Sequence, residues 1–204
     1  MSTLNYEALG TLFRTARTAH AWLDRPVSDD LLGQLYELMK WGPTSANCCP
    51  ARIVFLRTPP AKQRLLPALS PGNVEQTMKA PVTAVLAYDL RFYEKLSKLF
   101  PHNPKMVELF SSSASLAEAT AFRNGTLQGG YFILAARSLG LDCGPMSGFD
   151  NAKVDQEFFS SSEPALFPGG QVKSNFLCNL GYADFAKTFP RQARLDFDEA
   201  CKLL

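Results

Sequence analysis

Four short segments of this chain concentrate side chains able to do chemistry. The first runs Trp41-Gly42-Pro43-Thr44-Ser45-Ala46-Asn47-Cys48-Cys49-Pro50-Ala51. It is dense in hydrogen-bonding side chains and backbone punctuation, and taken alone it also reads as an ordinary turn. A flavin ring asks for a mixed surface of this kind, apolar against its faces and polar at its pyrimidine edge. The second is Gly144-Pro145-Met146-Ser147-Gly148-Phe149-Asp150. Gly and Pro set a tight turn there, and the following amides point outward at the start of a helix. An N–H from Ser147 or Gly148 donated to flavin N5 would stabilise the electron-rich reduced ring, and a plain helix entry with Ser147 as cap is the alternative.

The third segment joins Arg14 and Arg17-Thr18-Ala19-His20 to Arg194, far downstream. Guanidinium forks suit a phosphate, and an anion leaving water must be paired. A lone surface arginine is more often simply solvated. The fourth, Gly72-Asn73-Val74-Glu75-Gln76, turns into a helix and would reach a ribityl or pyrimidine group.

The elements that must position these segments follow from spacing. Glu7 to Arg17 reads as a helix. Ser28-Asp29-Asp30 offers an N-cap ahead of Leu31, Leu32, Leu35, Leu38 and Met39, one helical face that Gly42-Pro43 brings to a stop. Arg52 to Arg57 is a short β-rich strand ended by Pro59-Pro60, and Lys62 to Leu69 is a short helix. Val82 to Tyr88, almost wholly apolar, predicts a central strand covered on both faces. Pro101 and Pro104 lie in a loop. Ser115 to Leu139 reads as one long Ala- and Gly-rich helix, apolar nearly all round in its second half and hence buried. Asp142 to Pro145 is a short strand, Asp150 to Phe159 a helix, Glu163 to Gly170 a loop and Lys173 to Tyr182 a strand. The last twenty residues form an extended arm with a terminal helical turn. The fold class is α+β in one domain spanning 1–204: a mixed central sheet flanked by helices. A Rossmann fold is disfavoured, since regular βα alternation is missing and no G-x-G-x-x-G follows a strand.

Composition removes other classes. With 46% hydrophobic and 20% charged residues the chain is ordinary globular material, and its net charge of +2 without a charged block asks for neither nucleic acid nor an acidic membrane. Met1 to His20 lacks an apolar signal core, and the run from Leu127 to Leu141 is too broken to span a bilayer, so the cytoplasm is the expected compartment. Five cysteines (Cys48, Cys49, Cys143, Cys178, Cys201) and two histidines, His20 and His102, assemble no metal pattern, and reduced, mostly buried thiols are expected.

Together these segments resemble the FMN-dependent nitroreductase family, and within it the malonic semialdehyde reductase subgroup. Pro43 to Pro50 resembles the family's P-S-x-x-N-x-Q-P segment on the flavin. Gly144 to Asp150 resembles its G-P-M-x-G-F-D strip over N5. Ala121-Phe122-Arg123-Asn124 leads its long interface helix, and Arg194 to Glu199 resembles its C-terminal arginine segment. The likeness runs in order from about Leu12 to Leu204. It implies a homodimer with a shared pocket. Arg17, Thr18 and Arg194 would then hold the FMN phosphate, Ser45 and Asn47 lie near the ring, and Asn73 lies near the ring or ribityl. Pro145, Met146, Ser147 and Gly148 would pass over the isoalloxazine. Three features depart from the pattern: His20 stands where many members carry Arg or Lys, Ala16 replaces a first arginine, and Cys49 replaces the Gln before Pro50. The Ser160 to Gly170 loop is longer than the subgroup's.

The resemblance implies a ping-pong cycle with NADPH or NADH as reductant and a small-molecule oxidant. The oxidant would be a small aldehyde such as malonic semialdehyde, giving 3-hydroxypropionate; a nitro or quinone reductase of broad specificity, or a flavin-binding protein with little turnover, are the alternatives. The cofactor carries the chemistry, so no side-chain nucleophile is expected, only support from Ser147 and Ser45. Arg123 is a candidate partner for a substrate carboxylate.

Overall fold

In the computed structural model, which describes residues 3–160, 166–168 and 170–204, the chain opens with α1 (Tyr6–Leu9), capped by the Asn5 side chain. The helix expected over Glu7 to Arg17 ends early, in a π-type turn at Gly10–Arg14. The cause is tertiary. Thr18 bridges Cys143 in parallel, and the Ala19 N–H donates to the Cys143 carbonyl at 2.9 Å. The Arg17–His20 stretch is thus held extended along a strand, which overrides local helix preference.

Next comes α2 (Asp29–Met39), where the Ser28 hydroxyl accepts the Leu31 N–H at 3.2 Å and Asp29 and Asp30 complement the positive end of the helix dipole. Strand β1 (Ala51–Leu56) leads into α3 (Pro59–Leu65). Pro59 and Pro60 do more than end the strand: they fill the first positions of α3, where no N–H is missed, behind a Thr58 cap. Then follow α4 (Pro71–Lys79), β2 (Val82–Asp89), α5 (Leu96–Leu99), α6 (Lys105–Ser111), α7 (Ala114–Ser138), β3 (Asp142–Met146), α8 (Asn151–Asp155), β4 (Val172–Gly181) and α9 (Phe197–Ala200). The Pro101–Pro104 loop is present, but the sequence pattern missed the helical turns either side of it. Much of the Glu163–Gly170 loop, and with it the length expected of Ser160–Gly170, lies outside the described residues.

The four strands form one sheet in the order β1-β2-β4-β3, and all three ladders are antiparallel. The expected mixed character is confined to the Thr18–Cys143 bridge. Strand β2 is buried along its whole length and alternates between two cores. Val82, Ala84 and Leu86 face α2 and α7, meeting Leu35, Met39 and Phe132. Val85, with Leu177 of β4, faces α3 and α8, meeting Leu65, Val154 and Phe158. Each fully buried Val, Leu, Met or Phe side chain there contributes roughly 1.5–3 kcal/mol of transfer free energy.

Helix α7 corrects one expectation. It is not buried all round. Ala117, Ala121, Asn124, Gln128, Phe132 and Ala135 face the protein, while Leu116, Phe122, Leu127 and Tyr131 are open to solvent in the single chain. The arm beyond Ala183 is likewise open, with Phe189, Leu195 and Phe197 outside any core.

Candidate active site

The strip after β3 is held by close packing that only glycine permits. A Cβ on Gly144 would stand 2.6 Å from the Ala19 carbonyl, so the bare backbone lets the Thr18–His20 segment lie against β3. A Cβ on Gly148 would stand 2.6 Å from the Asn73 amide nitrogen. Asn73 instead donates to the Gly148 carbonyl at 2.8 Å, and the Ser70 N–H donates to the same oxygen at 3.0 Å. Met146 is steadied from behind, where the buried Thr77 hydroxyl donates to its sulfur at 3.5 Å. Pro145 closes the strand beside Cys178. Ser147 is exposed, and neither its hydroxyl nor the Gly148 N–H has a partner among the described residues. Donors left unused beside a rigid backbone are available to a ligand.

Arg17, Thr18 and Arg194 come together around one cavity of about 420 Å³, together with His20, Arg137 and Arg191. Among the described residues none of the four arginines meets a carboxylate. They donate to backbone carbonyls: Arg17 to Phe189, Arg137 to Leu12 at 3.1 Å, Arg191 to Arg14 and Ala16 at 2.6 and 2.8 Å, and Arg194 to Gln192 and Ala193. These contacts fix the guanidiniums without neutralising them, which suits a phosphate. Arg14 lies outside, stacked over Tyr6, its carbonyl held by Arg191. Sequence reasoning missed Arg191 and Arg137. Arg191 sits three residues before Arg194 in the same arm, the one signal that was available.

The Trp41–Ala51 segment is the most contorted backbone among the described residues. Ala46, Asn47 and Cys49 all have left-handed φ, at 50°, 46° and 40°. Each such non-glycine residue costs about 1–3 kcal/mol and persists only where its surroundings fix it. Those surroundings come largely from α7. Asn124 accepts the Ser45 N–H at 2.8 Å and Gln128 accepts the Ala51 N–H at 2.9 Å, from side chains each 4% exposed. The Thr44 hydroxyl takes the Cys49 N–H, and the Asn47 amide donates to the Leu99 carbonyl at 2.8 Å. Arg52 ties the carbonyls of Cys49, Pro50 and Ala51 to buried Asp89, at 2.6 Å from its carboxylate. Asn47, Cys49 and Arg52 border a cavity of about 630 Å³ with Tyr36, Trp41 and Phe55. Ser45 itself is exposed.

One chain does not bring all the expected residues together. The Ser45–Asn47 segment enters β1 and the Met146–Gly148 strip leaves β3, which are opposite edges of the sheet. Three strand spacings separate them, roughly 14 Å. Arg17, Thr18, Asn73, Pro145, Met146, Ser147, Gly148 and Arg194 form one cluster; Ser45 and Asn47 belong to another.

Several buried groups have displaced proton affinities, Cys48 and Lys62 among them. Burial pushes the Cys48 thiol up to about 11, so it stays protonated at neutral pH, and all five cysteines are unbridged. Burial lowers Lys62 to about 8, although its ammonium donates to the Thr77 and Ala80 carbonyls at the end of α4. No metal-binding cluster of His, Cys, Asp or Glu occurs among the described residues, and no helix there is long and apolar enough to cross a membrane.

Known proteins resemble this chain in sequence and in fold. The chain is 55% identical over 199 residues to a candidate NADH dehydrogenase/NAD(P)H nitroreductase of Cupriavidus pinatubonensis, covering 97% of both chains. It is 54% identical over 198 residues to a candidate enzyme of the same description, HadB of Ralstonia pickettii, covering 96% of this chain and 97% of that one. In fold it is similar to a candidate nitroreductase from Bacillus subtilis (TM-score 0.82, 18% identity, 98% and 100% covered). It is also similar to one from Exiguobacterium sibiricum solved in complex with FMN (TM-score 0.81, 15% identity, 100% of both). The model of the Nitroreductase family matches residues 14–164, and the chain belongs to that family.

Proposed function

We propose that this protein is an NAD(P)H-dependent FMN oxidoreductase, a single domain over 1–204 that works in the cytosol as a homodimer. One observation carries the reading: a cavity with four arginines and no carboxylate is linked through His20, Gln76 and Asn73 to a strip whose Ser147 hydroxyl and Gly148 N–H have no partner among the described residues. An FMN phosphate fits the first and the edge of its ring fits the second. When bound, FMN supplies the hydride transfer, accepting from NAD(P)H and giving to the oxidant.

The chain's own residues have separate tasks. Arg17, Arg194 and Thr18 would hold the phosphate, and Arg191 would add a further fork. Pro145 to Gly148 would lie over the ring and offer an N–H to it. Asn73 holds the strip. Ser45 and Asn47 lie at the far edge of the sheet, so in this reading they reach the flavin of a second copy. The exposed apolar face of α7 and the open arm support such a dimer. No membrane or nucleic acid enters the scheme.

For the oxidant, the finer reading is a small aldehyde such as malonic semialdehyde, supported by the subgroup resemblance and by the free Ser147 hydroxyl, which can polarise a carbonyl oxygen. Arg123 is exposed and lacks a carboxylate partner among the described residues, which keeps it a candidate for a substrate carboxylate. Nitro compounds are the second reading, favoured by the names of the relatives at 55% and 54% identity.

The test is anaerobic stopped-flow reduction of the FMN-loaded protein by NADPH and by NADH, then mixing with malonic semialdehyde, a neutral short aldehyde, a quinone and a nitrofuran. Rapid bleaching of the flavin is expected. A flavin that stays oxidised in excess of both reductants reduces the protein to a flavin carrier. If the nitrofuran or the quinone exceeds the semialdehyde more than about tenfold in kcat/KM, a difference of about 1.4 kcal/mol, the aldehyde reading fails and the family activity stands.

A further inference from the structure

A chain of three side chains joins the arginine cavity to the strip. His20 Nδ1 lies 3.0 Å from Gln76 Oε1, Gln76 Nε2 donates to Asn73 Oδ1 at 2.7 Å, and Asn73 Nδ2 donates to the Gly148 carbonyl at 2.8 Å. Asn73 and Gln76 lie one turn apart on α4 and share a face. His20 borders the arginine cavity, its ring edge-on to Phe189.

The direction of every bond follows from its last member. A carbonyl oxygen only accepts, so Asn73 must turn its NH2 toward Gly148 and its oxygen toward Gln76. Gln76 must then offer its NH2 to Asn73 and its oxygen to His20. That oxygen only accepts, so His20 Nδ1 must carry a hydrogen. Amide orientation and ring tautomer, which heavy atoms alone leave open, are fixed by the network. The ring atom left for the cavity is Nε2.

We propose that His20, Gln76 and Asn73 form a relay of fixed direction that makes phosphate binding and placement of the Gly148 strip depend on one another. Gln76 is its positioning residue and His20 is held as the Nδ1–H tautomer. A phosphate that draws on His20 moves a ring whose other nitrogen holds Gln76, and Gln76 orients the amide that fixes Gly148. The Gln76 side chain bonds to His20 and Asn73, not to the arginines or the strip, and acts through Asn73. The inference rests on the FMN placement above for the identity of the anion, while the tautomer assignment stands without it.

Two measurements separate these parts. The first uses the FMN-loaded protein labelled with 15N-histidine at about pH 9, beyond the ordinary histidine range, with His102→Gln used to assign the signals. The His20 pattern should be that of the Nδ1–H tautomer and should move toward Nε2–H in Gln76→Leu. An Nε2–H pattern in the parent protein overturns the relay whatever FMN does. The second is a double-mutant cycle on FMN affinity between His20→Ala and Asn73→Ala. The two effects should be non-additive by about threefold or more, and this coupling should vanish in a Gln76→Leu background. Additivity in the parent, or coupling that survives without Gln76, overturns it. Unchanged FMN affinity in both Arg17→Ala and Arg194→Ala would instead strike the phosphate placement and leave the tautomer result standing.

Discussion

Asn124 accepts the backbone N–H of Ser45 at 2.8 Å, across 79 residues of sequence. One turn further along α7, Gln128 does the same for Ala51. The contorted Ala46–Cys49 backbone is therefore shaped from outside, by two amides on an otherwise Ala- and Gly-rich helix. The strain sits where the resemblance expects a flavin surface, and the restraint sits in the core.

Removing that restraint should release the segment. We predict that Asn124→Leu and Gln128→Leu each cost about 1–3 kcal/mol, because a backbone N–H loses an acceptor that reaches it from the core. Urea unfolding with parallel measurement of flavin content checks this. Full stability with full flavin retention in both variants would show that the segment holds itself.

The phosphate grip should depend on two distant arginines. Charge-assisted bonds contribute roughly 1.5–3 kcal/mol each, so Arg17→Ala or Arg194→Ala should weaken FMN binding about ten- to a hundredfold. Riboflavin, which lacks the phosphate, should bind these variants as it binds the parent. Fluorescence titration of the apo-protein reads both ligands.

Asp89 is 3% exposed and carries Arg52 at 2.6 Å, while its other oxygen accepts the N–H groups of Arg91 and Gln171. Asp89→Ala leaves a part-buried guanidinium and two N–H groups unpaired. The expected loss is about 3–5 kcal/mol, seen as a lower urea midpoint with an unchanged m-value. A loss below about 1 kcal/mol would mean that Arg52 finds solvent easily.

Lys62 should give stability an unusual pH slope. Its ammonium titrates at about 8 in the fold against 10.5 in the free side chain. Below pH 8 both states hold the proton, and the folded state bears the cost of burying it. Between the two values the unfolded chain binds a proton that the folded chain does not, so stability rises with pH across that window. The gain is at most about 3 kcal/mol. Comparing unfolding free energies of the parent and Lys62→Met from pH 7 to pH 10 isolates it, and a pH-independent difference would count against the shift.

Cys48 and Cys49 invite a thiol mechanism, and burial argues against it for Cys48. Cys48 is 1% exposed and its thiol is pushed up to about 11. Cys48→Ser and Cys49→Ser should keep flavin and turn over near the parent rate. A loss above about a hundredfold in a flavin-replete variant, about 2.7 kcal/mol of barrier, would make a thiol part of the chemistry.

What the sequence made legible was whatever local chemistry decides. Ser28 announces its helix because a hydroxyl ahead of two acids satisfies orphan N–H groups. Val82 to Tyr88 announces a covered strand because no face of it is polar. Arg17 and Arg194 were tied to one site by resemblance, and the fold does bring them to one cavity. The rest depends on distant partners. Glu7 to Arg17 has helical composition, yet Thr18 and Ala19 are captured by Cys143. Gln128, inside the broken apolar run from Leu127 to Leu141, carries no local sign of its role, because its partner Ala51 is 77 residues away. Arg137 carried no local signal and Arg191 only its place three residues before Arg194, since α7 and the arm meet only in the folded chain.

The placement of Ser45 and Gly148 at opposite edges of the sheet has a genetic consequence for any pair of chains that shares its pockets. Cripple one chain at Arg194 and another at Asn124, and each alone is inactive at both of its sites. Mixed together, a hybrid pair joins the sound arginine cavity of one chain to the sound Trp41–Ala51 segment of the other. The two lesions then fall into the same pocket and leave the second intact. Two dead alleles would complement each other, which a pocket built from one chain does not allow.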